Sequence, residues 1–153
     1  MSHISDYVAQ VQGVSGLFSP RMPEHQRMVY AVESVVAQVL PSATLNLSTA
    51  QRFLSDLCME VSVDEPELIV KRIGGGFSAC ASHEHYTIVL STKTTNGLEL
   101  CHELAHLMSG KGVGHHEDWR TNFVRLARIG VSVEHGALLH SLYNRCDLPC
   151  RWQ

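Results

Sequence analysis

Asn96-Gly97-Leu98-Glu99-Leu100-Cys101-His102-Glu103-Leu104-Ala105-His106-Leu107-Met108-Ser109-Gly110 is the stretch on which the reading of this chain turns. Asn96 followed three residues later by Glu99 resembles a capping box, which predicts a helix running to about Ser109 and closed by Gly110. Leu98, Leu100, Cys101, Leu104, Ala105 and Met108 give that helix apolar surface to pack. Side chains four apart on a helix lie one above the other on the same face. His102 and His106 therefore aim two imidazoles at one point, at the spacing a single zinc ion needs. Glu103 lies about 100° further round the helix. From there its carboxylate can serve as a base beside the metal instead of entering the ligand set.

A catalytic zinc takes three protein ligands and keeps one position open. His115 is the best third ligand, because Gly112-Val113-Gly114 before it can bend the chain back over the helix. His116, Glu117 and Asp118 are its close competitors, and His116 could also close the site as a fourth ligand. Zinc lowers the pKa of water from about 15.7 toward about 7. Glu103 would accept the proton as general base and pass it to a leaving amine. The bland alternative is a set of surface histidines without metal, since the chain holds ten histidines and exposed histidine is common. The amphipathic helix and the glycine-flanked His115 argue against it.

Outward from this helix the period of the pattern changes. Toward the N-terminus, Tyr86 to Ser91 reads as a strand on β-branched content, and Leu68 to Ile73 as another. Gly74-Gly75-Gly76 between them is a turn rather than a phosphate loop, because no Lys-Ser/Thr ending follows. Phe77 to Ala81 is expected to pair back. Earlier still, helices are predicted from about Glu24 to Leu40 and, behind a Ser48 cap, from about Thr49 to Val61. Residues 1–20 are expected to be a loosely attached segment. Beyond the helix, others are predicted from near His116 to Ile129 and, behind Ser132, from Val133 to Arg145. Helices, then a small sheet, then helices make an α+β fold. With 153 residues and no dividing linker, residues 1–153 read as one domain.

Composition narrows the function classes. Hydrophobic residues make up 44% and charged ones 18%, which is globular rather than disordered. A formal net charge of -3 lacks the basic excess of a nucleic-acid binder. No apolar run approaches the roughly 18 residues that span a bilayer, and no leader pattern opens the chain, so a cytoplasmic location is expected. The five cysteines then read as reduced thiols. Cys146 and Cys150 form only half of a second metal site.

Cys101 to His106, followed by Gly114-His115-His116-Glu117-Asp118-Trp119, resembles the SprT-like group of minimal zincins. Those proteins pair the helix motif with a downstream Gly-His-Gly-x-x-aromatic segment. The chain is further similar to a family of metallohydrolases of actinobacteria and their phages, through Arg27-Met28-Val29-Tyr30-Ala31-Val32-Glu33, the metal region and the tail from Gly136 to Tyr143. The resemblance implies a minimal zincin-like fold, a small twisted sheet packed on an active-site helix. It assigns zinc to His102, His106 and His115 and the general base to Glu103. It also implies a protein or peptide substrate that adds to an edge strand, with Tyr86 to Ser91 as the candidate strand. His116 departs from the pattern, which has glycine there.

The activity so implied is that of a zinc metallopeptidase or related amide hydrolase. The rival is a zinc-stabilised binding or virion-associated protein without turnover. His83, Glu84 and His85 read as a solvated hairpin tip, Tyr143 as core, and Arg120, Arg125 and Arg128 as a solvated helix face. Trp119 and Phe123 should anchor the loop that carries His115.

Overall fold

In the computed structural model, which describes residues 3–153, the Asn96 side chain caps helix α4 (Gly97–Met108) by accepting from the Glu99 amide at 2.9 Å. Only half of the expected capping box forms. The Glu99 carboxylate turns instead to the hydroxyls of Thr95 and Ser78, tying the helix start to the sheet. Ser109 ends the helix in an extended conformation, with Gly110 just beyond. Every residue from Gly97 to Ala105 except Glu99 is buried, so α4 is the central helix.

Three helices precede it. α1 (Ile4–Ser15), in the segment expected to attach loosely, packs on α2 (Glu24–Val39) and inserts Val11, which is fully buried. α3 (Leu47–Val61) starts two residues earlier than the sequence predicts: its cap is Asn46, whose Oδ1 accepts from the Thr49 amide at 2.9 Å, and not Ser48. Two helices follow α4. α5 (Glu117–Gly130) and α6 (Val133–Arg145) begin where predicted, α6 behind the Ser132 hydroxyl, which accepts from the His135 amide. Gly136 lets these two cross closely. A Cβ there would lie 2.5 Å from Arg128 Cβ and 2.9 Å from Arg128 Cα. Gly136→Ala should therefore destabilise the fold by roughly 1–3 kcal/mol through overpacking, seen as a lower midpoint in thermal unfolding; an unchanged midpoint would mean that the crossing can open freely.

The strands form two small sheets. β1 (Thr44–Asn46) and β5 (Thr94–Asn96) pair antiparallel, setting the starts of α3 and α4 side by side. The second sheet has the order β2 (Glu67–Val70), β4 (Thr87–Leu90), β3 (Ala79–Ser82), with β2 parallel and β3 antiparallel to β4. The Tyr86–Ser91 segment was expected at the edge, lining the cleft, and this expectation is corrected. β4 is central, paired on both sides, with Ile88 and Leu90 buried, and the edge strand against α4 is β3. The overall class is α+β, as the sequence predicts. One continuous apolar core runs from Val29 and Val32 of α2 through Leu100 and Leu104 to Phe123 and Leu139. Among the described residues, no helix is long and apolar enough to cross a membrane.

Candidate metal centre

α4 sets His102 and His106 one turn apart, and the following loop returns His115 to them. Gly112 and Gly114 have φ of +80° and +63°, a left-handed conformation that side-chain-bearing residues rarely adopt, so the glycines permit the bend. The three Nε2 atoms form a triangle: 3.2 Å from His102 to His106, 3.1 Å from His106 to His115, and 3.2 Å from His115 to His102. An imidazole nitrogen is either a donor or an acceptor, so three such nitrogens cannot satisfy one another by hydrogen bonding. Lone pairs that converge in this way fit a cation. Tetrahedral zinc with Zn–N of about 2.0–2.1 Å sets its nitrogens roughly 3.3 Å apart, close to what is observed. The three histidines can bind a metal ion, and they are the one such group of three among the described residues.

The site is braced from several elements. Glu33 of α2 meets His102 Nδ1 at 2.6 Å, which turns the Nε2 lone pair inward. Tyr30, one turn earlier on α2, lies parallel to the His102 ring and edge-on to His115. Trp119 of α5 is fully buried behind all three imidazoles, its centroid 4.7, 5.2 and 4.5 Å from those of His102, His106 and His115, and its indole N–H donates to the His102 carbonyl at 3.3 Å. Phe123 stacks on Trp119, so both are the core anchors that the sequence predicts.

Arg120 was expected on a solvated face and is instead buried. Its Nη1 donates to the His115 carbonyl at 2.7 Å, while Nε and Nη2 donate to the Pro149 carbonyl at 3.1 and 2.9 Å. The guanidinium is satisfied there by two main-chain oxygens, which is why a charged group tolerates burial. Arg128 lies over the Trp152 ring.

Electrostatics prepare the nitrogens for a cation. Burial, then the neighbouring His102, pushes the His106 pKa down to about 3. Burial, His102 and His106 push His115 down to about 2. Both rings are therefore neutral near pH 7 and offer free lone pairs. For His102, burial is the largest single influence and acts downward, but the Glu33, Glu103 and Glu99 carboxylates together outweigh it and the net shift is upward. Glu103 is 9% exposed at the side chain, with Oε1 4.0 Å from His102 Nε2. Burial raises its pKa to about 7 against the pull of His102, helped by Glu33 and Glu99.

A cavity of about 300 Å³ opens onto the triangle, lined by Tyr30, Ala81, His83 and Glu103 among others. His116 does not enter it as a ligand. It is exposed at the start of α5, its ring stacked on His25 at 5.3 Å. Glu117 and Asp118, the other competitors, bind Arg151. His83 lines the cavity, whereas Glu84 and His85 stay exposed at the hairpin tip. Tyr143 is core. Among the described residues, Cys146 and Cys150 join no third ligand, and all five cysteines are free.

The supporting parts of Glu33, Tyr30 and buried Arg120 are not evident from the sequence motif. One signal was present: Glu33 interrupts the apolar stripe of Val29, Val32 and Val36 on α2. Glu33→Gln should weaken divalent-metal binding by roughly 10–100-fold, measured by competition with a chromophoric chelator. Unchanged affinity would reduce the Glu33–His102 bond to a packing contact. No protein-family model, curated protein or solved structure matches the chain.

Proposed function

We propose that this chain is a zinc-dependent hydrolase, most simply a metallopeptidase of minimal zincin type within the SprT-like group. One observation carries the reading: three converging Nε2 atoms share an open cavity with a buried carboxylate, Glu103, that is outside the ligand set. A purely structural site has no use for that carboxylate. Nitrogen donors in this number suit zinc, and the rival binding-protein reading calls for a fourth protein ligand. His116, its candidate, is turned to His25.

His102, His106 and His115 would hold the ion. Zinc, when bound, supplies an electrophile that acidifies water and polarises an amide carbonyl. Glu103 takes the proton at its carboxylate, for which a pKa near 7 is well matched, and delivers it to the departing amine. Glu33 keeps His102 in the tautomer with Nε2 free. Trp119 and Phe123 close the rear of the site to water. β3 supplies the substrate platform. Its Ser78-side backbone faces β4, where the Ser91 amide donates to the Ser78 carbonyl at 2.8 Å. Pleating then turns the peptide groups of Ala79 and Ala81 to the free edge, where an extended peptide can pair.

Elemental analysis of the purified chain should find one zinc per molecule, and casein should be cleaved, with cleavage stopped by a chelator and restored by zinc. Zinc-free protein, or cleavage indifferent to chelation, would overturn the proposal.

A further inference from the structure

A second cavity of about 340 Å³ adjoins the metal centre, sharing Tyr30, Phe77, Ala79, His102 and Glu103 with the first. It is a continuation of the same cleft, on the side where α2 and the start of α4 face each other. Three carboxylates line it: Glu33, Glu99 and Glu103. Glu103, its side chain 9% exposed and held by the Ala81 backbone but by no other side chain among the described residues, opens onto both cavities. Glu33 engages His102 through Oε1 alone. Among the described residues, no lysine or arginine lines this cavity. Aromatic rings form its rim, with Phe77 49% exposed and Phe18 set against Tyr30.

Negative walls with an aromatic rim are the surroundings that a cationic side chain prefers, through charge-assisted hydrogen bonds and cation–π contact. A divalent cation on the three imidazoles would sit at the edge of this cavity, which of the three only His102 lines, so Glu33 and Glu99 still face its interior. An acidic group entering the cavity would meet repulsion, and an aliphatic one would leave Glu33 Oε2 and the Glu103 carboxylate no charged partner.

We infer that this cavity is a specificity subsite for an arginine or lysine side chain next to the bond being cut, so that the substrate class is basic peptides. This rests on the hydrolase reading above, and the test separates the two. Amino-acid hydroxamates chelate a metal without turnover, and citrulline is nearly isosteric with arginine but uncharged. Calorimetric titration of the zinc-loaded protein should show arginine hydroxamate binding about tenfold or more tighter than citrulline hydroxamate, the worth of one charge-assisted hydrogen bond. Glu99→Gln should abolish that preference and leave the citrulline compound's affinity unchanged. Because Glu99 also holds Thr95 and Ser78, a second variant guards against misfolding. Ala37→Lys, on the exposed face of α2 at the cavity mouth, should remove the preference by supplying a competing cation. Equal binding of the two hydroxamates, or a preference that survives both substitutions, overturns the basic subsite while leaving the metal reading standing. Failure of both compounds to bind zinc-loaded protein overturns both readings.

Discussion

Glu103→Gln is expected to lower kcat for casein hydrolysis by about 10²–10⁴-fold while the protein keeps its full complement of zinc. The two halves of that result have separate causes. Turnover falls because an amide has no basic oxygen with which to take a proton from water. The metal stays because Glu103 is not one of the three converging groups, its nearest oxygen lying 4.0 Å from His102 Nε2. Stability should not fall with activity. The carboxylate is buried at a cost visible in its pKa, raised to about 7, and a neutral amide of the same shape escapes that cost. The unfolding midpoint of the metal-free variant should therefore match or exceed that of the wild type near pH 8, where Glu103 is charged. Loss of zinc in Glu103→Gln would make the carboxylate a ligand. Retained turnover would remove it from the chemistry.

What the sequence made legible was what local chemistry specifies. α6 begins behind Ser132 and α4 behind Asn96 because a side-chain oxygen and an amide three residues away suffice to define a cap, and both lie within one short window. The same rule misplaced the start of α3, where Asn46 and Ser48 are both competent caps and the antiparallel pairing of Asn46 with Thr94 decides between them. His102, His106 and His115 came together as expected because helical spacing and two glycines are also local facts. Strand order was not local. The β-branched Thr87–Leu90 suits a central strand as well as an edge, and only the parallel partner Glu67–Val70 settles its position. Neither was the support of the site. Glu33 acts on His102 across 69 positions, and Arg120 is buried because Pro149 and His115 both offer it carbonyls. An arginine in an amphipathic helix carries no sign of that partnership.

Trp119 is where the fold and the site depend on one side chain, and Trp119→Ala should separate this chain's stability from that of an ordinary core truncation. Removing a fully buried tryptophan costs about 3–5 kcal/mol from lost burial and the cavity left behind. For a domain of this size that corresponds to a fall of roughly 6–20 °C in Tm. A second loss adds to it. The indole is the shared wall of three imidazoles within 4.5 to 5.2 Å, and its N–H occupies the His102 carbonyl. Without it the rings regain rotamer freedom, water reaches their rear face, and metal binding must then restore an order that the wild type holds in advance. Zinc affinity should fall together with Tm, and excess zinc should recover part of the Tm loss because binding stabilises the folded form by mass action. Trp119→Phe provides the control: it keeps an aromatic wall and gives up the hydrogen bond, so its zinc affinity should stay much nearer the wild-type value. Differential scanning calorimetry with and without chelator, alongside chelator competition, reads both quantities. If Trp119→Ala loses stability but binds zinc as tightly as the wild type, the imidazoles are held by α4 and the glycine loop alone.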